Sequence, residues 1–366
     1  MKKSFHIAIL AAMLCGNNLC AQDGFKWFDP QKADMQVVEG QAFPNECKGV
    51  YQRFPDSRKA SIPSWVWGNS IHSAGLTMHF RTNASQIQVR YTTTSRNYAM
   101  PHMPSTGVSG LDLYATDSKG CSLLCHGWYS FKDTITYNYN GLTYHDDAYT
   151  YELFLPLYNG VKWLEVGVPA DAEFTFVEAS KEKPIVVYGT SIAHGGCASR
   201  PAMAWTAMVK RELDIPVINW GFSGSGRLDP EMFNMMCEMD ARLFVIDCIP
   251  NMDGDKDHIV SRMTDGIKKL RTSSNVPILI VEHDGYADQY ISEGSCNRYQ
   301  LANEECRKAY EQLRADGVKN LWYLSYDEIG MNPDGMVDCV HATDLGMTDY
   351  AKAYTKKIRR ILRKQR

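Results

Sequence analysis

The order of apolar and polar residues changes character near residue 180. Before that point the chain carries short runs of β-branched, aromatic or alternating residues, separated by turn signals such as Asn159-Gly160. Several short strands at close spacing are typical of a β-sandwich. The runs that we interpret as strands are 76–81, 86–92, 111–116, 148–155 and 163–168.

After residue 183, apolar runs alternate with helical patterns. The run 184–188 (PIVVY) is apolar, as a parallel strand with both faces buried requires. Repeated strand–helix units indicate a parallel, doubly wound sheet, whose sites lie beyond the carboxyl ends of the strands. We predict further strands at 217–220, 241–249, 277–281 and 321–325, and helices at 202–213, 258–270, 301–313 and 343–362.

The length of 366 residues exceeds one ordinary hydrophobic core, so we predict two domains, 22–180 and 184–366. The first 21 residues read as a secretory signal peptide, with a basic start, a short apolar run and a small residue, Ala21, at the expected cleavage point. We therefore expect export, to the periplasm or beyond. Cys15 and Cys20 each follow a leucine rather than a small residue, which makes a lipoprotein anchor the less favoured alternative.

The composition is that of an ordinary globular protein, with 44% hydrophobic and 22% charged residues and a net charge of -3. It gives no sign of a nucleic-acid partner, and no segment after the signal reaches transmembrane length. Of the 11 cysteines, nine follow residue 21, and none forms a CxxC pair, so a zinc site is not expected. Cys296 and Cys306 are a candidate disulfide, although most cysteines are expected to be small buried apolar residues.

Four segments carry candidate chemistry. Ser191, in Gly189-Thr190-Ser191-Ile192, follows the first parallel strand and would stand exposed on a strand-to-helix turn, although such a serine is often only a helix cap. The segment 219–226 (NWGFSGSG) can present backbone N–H groups, as an oxyanion hole requires. A phosphate loop is the rival interpretation, but the GK[ST] ending is missing, and a plain turn is the simpler alternative.

The other two segments end in Asn251 and His341. Asn251 closes the segment 247–251 at the end of a predicted strand, where its amide would point at an oxyanion, although asparagine is also common in turns. In Asp338-Cys339-Val340-His341 the three-residue spacing lets the carboxylate reach the imidazole while the ring projects toward a serine. Taken alone, this pair is equally a helix cap or half of a metal site.

In this order, the four segments resemble the signature blocks of the SGNH (GDSL-like) hydrolase family, over residues 184–363. The resemblance implies a flavodoxin-like α/β/α fold. The segments 107–114 (GVSGLDLY) and 157–161 (LYNGV) look like the jelly-roll-like β-sandwich that precedes this domain in an exported bacterial branch. The implied roles are nucleophile for Ser191, general base for His341, orienting carboxylate for Asp338, and oxyanion donors for the backbone N–H groups of Ser191 and Gly224 and the side chain of Asn251.

Two of the four segments depart from the family pattern. The serine segment has Thr190 in place of aspartate, and the asparagine segment has Ile249 and Met252 in place of the glycine and aspartate around Asn251. The implied activity is hydrolysis of small acyl esters, with acetyl groups on carbohydrate as our first choice. A lipid esterase or thioesterase, or a noncatalytic glycan-binding protein, are the alternatives. Trp27, Trp65, Trp67 and Trp128 either stack on sugar rings or pack in the core.

His194 and Glu282 are weaker candidates for contact with substrate, together with His283. His194 lies three residues after the nucleophile, and Glu282 follows the fourth parallel strand; a structural role is the alternative for each. No histidine cluster has metal-ligand spacing, so we expect neither a metal nor a cofactor, and we expect chelators not to inhibit.

Overall fold

The computed structural model describes residues 24–47, 49–142 and 149–365. The predicted signal peptide, with Cys15 and Cys20, lies outside these residues, as does the first residue of the predicted strand 148–155. Among the helices in the described ranges, none combines the length and the apolar character needed to cross a bilayer.

The first half of the chain forms two antiparallel sheets. Alternate side chains of a strand point to opposite faces, so in the strand 86–93 Ile87, Val89 and Tyr91 are buried while the residues between them are partly exposed. The elements are β1 (Phe25–Phe28), β2 (Val38–Glu39), α1 (Ser64–Ser70), β3 (Thr77–Thr82), β4 (Gln86–Thr93), α2 (Ser105–Val108), β5 (Asp112–Thr116), β6 (Ser122–Leu124), β7 (Gly127–Ser130), β8 (Ile135–Asn140), β9 (Thr150–Phe154), β10 (Val161–Pro169) and β11 (Phe174–Phe176).

These strands pair as β1-β10-β4-β8-β7 in one sheet and as β11-β3-β9-β5-β6 in the other, with β2 added beside β3. Apolar residues of both sheets share one buried cluster, for example Ile87 and Leu164 from the first and Met78 and Leu153 from the second. The predicted β-sandwich is therefore confirmed. The sequence analysis missed β1, β2, β6, β7, β8 and β11, most of which are short or half-exposed.

The second half is a parallel sheet with helices on both faces. Its strand order is β13-β12-β14-β15-β16, so the first strand of this half lies between the second and the third, as in the flavodoxin-like order. The elements are β12 (Ile185–Gly189), α3 (Ser191–His194), α4 (Trp205–Leu213), β13 (Val217–Gly221), α5 (Pro230–Met236), β14 (Leu243–Asp247), α6 (Ile259–Arg271), β15 (Ile278–Val281), α7 (Glu293–Ala315), β16 (Leu321–Leu324), α8 (Tyr326–Ile329) and α9 (Asp344–Arg363).

The predicted doubly wound fold is confirmed, and every residue of β12 to β15 is buried because both faces are covered. One prediction about cysteines is wrong. Cys296 and Cys306 lie on the same helix, α7, ten positions apart, which separates them by about 15 Å along the helix axis. All nine cysteines in the described part of the chain are unpaired.

The two halves are packed together through apolar and ionic contacts. Phe154 and Leu157 of the β-rich half belong to the same buried cluster as Ile192 and Trp205 of the α/β half. Beside this cluster, the ammonium group of Lys210 on α4 pairs with the carboxylates of two residues of the β-rich half, Glu39 (3.4 Å) and Glu152.

Candidate active site

Three of the four candidate segments follow adjacent strands of the parallel sheet. Ser191 begins α3 directly after β12, the segment 219–226 runs out of β13, and Asn251 closes a short 3-10 turn after β14. The carboxyl ends of parallel strands meet at one edge of the sheet, so these segments converge there, on either side of the central strand β12.

The local backbone at Ser191 is set by Thr190. The hydroxyl of Thr190 accepts a hydrogen bond from the backbone N–H of Ile192 (3.3 Å) and so caps α3. At the start of a helix the backbone N–H groups have no partner within the helix, so the N–H of Ser191 is not used inside α3. Threonine therefore fills the position of the family aspartate with a working cap.

Ser191, His341 and Asp338 lie in one hydrogen-bonded chain. His341 Nε2 lies 2.8 Å from Ser191 Oγ, and His341 Nδ1 lies 2.8 Å from Asp338 Oδ2. The other carboxylate oxygen, Asp338 Oδ1, accepts the backbone N–H of His341 at 2.8 Å, which holds the pair in register. The arrangement can move the hydroxyl proton of Ser191 to the imidazole.

The charge on Asp338 is maintained by this geometry. Partial burial alone would raise the pKa of Asp338, but the hydrogen bonds and the positive charge that His341 can carry outweigh burial and hold the pKa below its ordinary value. An ionised carboxylate accepts the proton on Nδ1 and so favours the tautomer in which Nε2 has its lone pair toward Ser191.

The glycine segment lies against the serine turn. A Cβ added to Gly226 would stand 2.0 Å from the carbonyl oxygen of Gly189, so only glycine permits this approach. Gly224 has a positive φ of 65°, and a Cβ added there would meet nothing within 4 Å, so its backbone borders open space. These two glycines bring a strand-end loop close to Ser191 and leave its backbone accessible.

Asn251 joins this loop from the other side. Its side-chain amide donates to the carbonyl oxygens of Gly226 (3.2 Å) and Phe222 (3.4 Å). The neighbouring Met252, at the position of the family aspartate, is fully buried and packs in the core. The structure thus brings Asn251 and the Gly224 loop together, as the family pattern implied.

The β-rich half also contributes to this loop, through two residues that the sequence analysis missed. The side-chain amide of Asn69, at the end of α1, donates to Ser223 O (3.1 Å) and lies 3.2 Å from Ser225 Oγ, on both sides of Gly224. The buried guanidinium of Arg53 donates to Gly221 O (2.5 Å) and to Asn69 O (2.5 Å). No short motif marks these residues, because their partners in the glycine segment lie 154 and 168 positions away.

The structure places His194 and Glu282 in the interior, where other groups of the protein hold them, which favours the structural alternative for each. His194 is fully buried, stacked on the ring of Tyr158 at 4.1 Å, with Nε2 2.7 Å from the carbonyl oxygen of Leu157. It therefore joins the two halves. Glu282 is also buried, and its carboxylate is held by the hydroxyl of Tyr323, the guanidinium of Arg307 and the N–H of Tyr326. His283 is buried beside it.

The four tryptophans separate into two groups. Trp27 packs against the guanidinium of Arg90 at 3.7 Å, and Trp67 packs against the core. Trp65 and Trp128 are 57% and 68% exposed. Trp65 lies on α1, one helical turn before Asn69, and its indole N–H points at Asp229 (3.4 Å), just beyond the glycine loop. Trp65 is therefore the exposed tryptophan that lies beside the site.

A serine, a histidine and an aspartate in contact at the carboxyl edge of a flavodoxin-like sheet define a hydrolase domain of the SGNH type. Residues 182–359 match the GDSL-like Lipase/Acylhydrolase family, and residues 25–174 match the N-terminus of Esterase_SGNH_hydro-type. The α/β half of the chain, residues 182–359, therefore belongs to the GDSL-like lipase/acylhydrolase family. Its resemblance to this family, inferred from the sequence, is confirmed.

Several solved structures share this two-part architecture. A protein described as a GDSL-like lipase from Bacteroides ovatus is 29% identical, with a TM-score of 0.85 over 93% of this chain and 98% of the other. The salicylyl-acyltransferase SsfX3 from a tetracycline biosynthetic pathway is 18% identical, with a TM-score of 0.71 over 93% and 98%. A family two carbohydrate esterase from Cellvibrio japonicus is 13% identical, with a TM-score of 0.54 over 93% and 99%. A comparison with curated proteins found no match.

Proposed function

We propose that this protein is a serine esterase that hydrolyses small acyl esters. The observation that carries the proposal is the unbroken chain from Ser191 Oγ through His341 to Asp338, with both links at 2.8 Å. A nucleophile, a base and a group that orients the base, each within hydrogen-bond reach of the next, are what nucleophilic catalysis of acyl transfer requires.

The reaction proceeds through an acyl-enzyme. Ser191 Oγ attacks the carbonyl carbon of the ester while His341 Nε2 takes the hydroxyl proton, and Asp338 stabilises the resulting imidazolium. The N–H groups of Ser191 and Gly224 stabilise the negative charge on the carbonyl oxygen. The amide of Asn251 joins them by turning toward the oxyanion one of the N–H groups that face Gly226 O and Phe222 O. His341 then gives its proton to the departing alcohol. Water, activated by the same imidazole, attacks the acyl-enzyme, releasing the acid and restoring Ser191.

The proposed substrate is a carbohydrate that carries acetyl esters. Trp65 supports this choice, because an indole face that is 57% exposed and adjoins the oxyanion loop is suited to stacking on a sugar ring. The fold shared with a family two carbohydrate esterase is consistent with it. Export follows as part of the proposal, from the signal-like residues 1–21, since polymeric carbohydrate would be met outside the cytoplasm.

The experiment that tests the activity is hydrolysis of 4-nitrophenyl acetate by purified residues 22–366. Wild-type protein should turn over, Ser191→Ala should be at background, and Ser118→Ala, which alters an exposed serine of the β-rich half, should match wild type. A serine-reactive phosphonate should label Ser191. If Ser191→Ala is as active as wild type, or if the phosphonate leaves Ser191 unlabelled in folded protein, the assignment is wrong, and the second result favours a noncatalytic glycan-binding protein.

Two further comparisons test the substrate class. A series of 4-nitrophenyl esters of increasing acyl length should favour acetate, and a preference for long chains would favour a lipid esterase instead. On acetylated polysaccharide, Trp65→Ala should lower kcat/KM roughly 2- to 10-fold through lost stacking, with 4-nitrophenyl acetate hydrolysis little changed. Trp128→Ala is the matched control, since Trp128 is also exposed but lies on β7.

A further inference from the structure

A loop of the β-rich half presents an imidazole to the catalytic histidine. Met100 and Met103 exchange two backbone hydrogen bonds, Met100 N to Met103 O at 2.9 Å and Met103 N to Met100 O at 3.1 Å, so residues 101–102 form the tip of a tight turn. The ring of His102, at this tip, lies 5.8 Å from the ring of His341, with an angle of 47° between their planes. None of the roles proposed above uses His102.

A thiol lies against the same two rings. Cys197, a few residues beyond α3, is buried, and its backbone N–H donates to Ala342 O at 2.9 Å, which fixes Cys197 beside the segment that carries His341. One donor atom from each of His102, Cys197 and His341 can be chosen so that all three lie within 4.8 Å of one another. Three segments that are remote in sequence therefore bring two imidazoles and one thiol to one point.

We propose that His102, Cys197 and His341 form a binding site for a zinc-class transition-metal ion, and that occupancy of this site inhibits the esterase. Nitrogen and sulfur donors are the ligands that Zn²⁺ prefers, and three protein ligands leave its fourth position to water. Bonds of about 2.0–2.3 Å place tetrahedral ligands roughly 3.5 Å apart, so the donors must close by about 1 Å. Rotation of the accessible His102 side chain supplies that movement.

His341 is already oriented as a metal ligand. Its Nδ1 is held by Asp338 Oδ2 at 2.8 Å, which leaves Nε2 as the available donor. A carboxylate behind a metal-bound histidine is a common feature of zinc sites, because it fixes the ring and increases the electron density on the ligating nitrogen. Nε2 is also the atom that contacts Ser191 Oγ, so the metal and the serine compete for one lone pair. That competition is why the proposed ion inhibits; this part of the inference rests on the proposed function.

Binding is balanced by release of one proton. Cysteine binds a metal ion as the thiolate, so Cys197 must lose its thiol proton when the ion binds. On binding, the S–H bond breaks, a metal–sulfur bond forms and the proton goes to solvent, with no change of oxidation state.

The metal site can be tested without an activity assay, by titrating Co²⁺ into the Ser191→Ala variant. Because this variant is expected to be inactive, the titration measures metal binding independently of turnover. The expected result is a thiolate-to-cobalt charge-transfer band together with the visible bands of a four-coordinate ion. The thiolate band should disappear in Ser191→Ala/Cys197→Ser. It should persist in Ser191→Ala/Cys339→Ser, because Cys339 is the exposed thiol in the His341 loop and is the matched control. Absence of the band, or its loss only with Cys339→Ser, overturns the proposal.

The consequence for activity is tested with Zn²⁺ in the 4-nitrophenyl acetate assay, each variant being compared with its own metal-free rate. Zn²⁺ should inhibit wild type, and excess EDTA should restore the rate. The concentration for half inhibition should rise at least about tenfold in His102→Ala and stay unchanged in His126→Ala, another histidine of the β-rich half. Equal inhibition of His102→Ala and wild type overturns the role of His102. An inactive wild-type protein would contradict the esterase proposal, whereas the cobalt titration would still decide the metal site.

Discussion

The two halves of the molecule supply different kinds of group to one site. The α/β half carries every group that we propose to touch the reacting ester, and each lies in a loop at the carboxyl edge of its sheet or in the loop before α9. The β-rich half carries groups that hold those loops, such as Asn69 and Arg53, which bind the carbonyl oxygens of Ser223 and Gly221 just before Gly224. The reactive groups sit in recognisable motifs, and the supporting groups do not.

The two kinds of residue differ in what restricts the choice of amino acid at each position. A nucleophile and its base are restricted by chemistry to a few residue types, so they can be recognised in a sequence. A supporting residue needs only a donor at the right point in space, and many residue types on many elements can supply one. If the α/β half supplies the reactive groups and the β-rich half only holds their loops, substitutions in the two halves should differ in how much they lower kcat.

The largest effect should come from removing the reactive groups of the α/β half. Ser191→Ala and His341→Ala should each lower kcat by roughly 10⁴- to 10⁶-fold, and the double variant should be no slower than the worse single variant, because the two residues act as one unit. Steady-state kinetics on 4-nitrophenyl acetate measures this. Losses that multiply in the double variant would show that the two side chains act independently.

A smaller effect should follow from removing one oxyanion donor. Asn251→Ala should lower kcat by about 100- to 1,000-fold with KM little changed, since the amide stabilises charge that develops only in the transition state. Asn275→Ala, at an exposed turn of the same half, is the control and should match wild type. If KM rises and kcat is kept, Asn251 binds substrate rather than the oxyanion.

Removing a side chain of the β-rich half that holds the Gly224 loop should lower kcat by less than removing an oxyanion donor. Asn69→Ala should lower kcat by about tenfold, because it deletes two hydrogen bonds worth about 1 kcal/mol each and lets the Gly224 loop relax. Asn97→Ala, an exposed residue of the same half, is the control.

The double variant Asn69→Ala/Asn251→Ala sharpens this comparison. If Asn69 acts through the Gly224 loop, the decrease in kcat of the double variant should be smaller than the product of the two single decreases. Independent losses, or an Asn69→Ala variant that is destabilised but has normal kcat, would assign Asn69 to folding alone.

The smallest effect on kcat is expected where the halves are joined far from the triad. Burial alone would raise the pKa of Glu39, but the hydrogen bond from His79 and the charge of Lys210 lower it to about 2. A carboxyl group whose pKa is lowered on folding stabilises the folded state at pH values above its pKa in the unfolded chain, near 4.5. This stabilisation is lost as the pH falls toward the folded-state pKa, about 2. Glu39→Gln should therefore lower the free energy of unfolding at pH 7 by up to about 3 kcal/mol.

Urea unfolding at pH 7 and pH 3 measures this contribution. The difference between Glu39→Gln and wild type should be largest at pH 7 and should shrink at pH 3. Glu178→Gln is the control, because Glu178 pairs only with the exposed Lys181, and a surface ion pair of this kind contributes at most about 1 kcal/mol. A Glu39→Gln variant as stable as wild type at both pH values would show that the ionic contact does not hold the halves together.

The sequence by itself determined most elements of the α/β half and the residues that form the chain from Ser191 through His341 to Asp338. The apolar run that became β12, with a serine on the turn after it, is a local pattern, and so is the spacing of Asp338 and His341. Helix bounds were less accurate: α7 begins at Glu293 rather than 301, because its first turns are polar and carry no apolar period, and their start is set by the Ser292 cap. The short helix α5 was missed for a similar reason, since its methionine-rich pattern is brief.

Only the tertiary structure decided which distant residues meet. Ser191 and His341 are 150 positions apart, and Asn69 and Ser223 are 154 apart, so no local period records either contact. The tertiary structure also decided which polar side chains are buried. His194 and Glu282 have the residue types of a site, yet their strands and helices turn them inward, where Leu157 O lies 2.7 Å from His194 Nε2 and Arg307 pairs with Glu282. Local periodicity sets what each segment becomes, whereas the packing of segments against one another sets which side chains face the substrate.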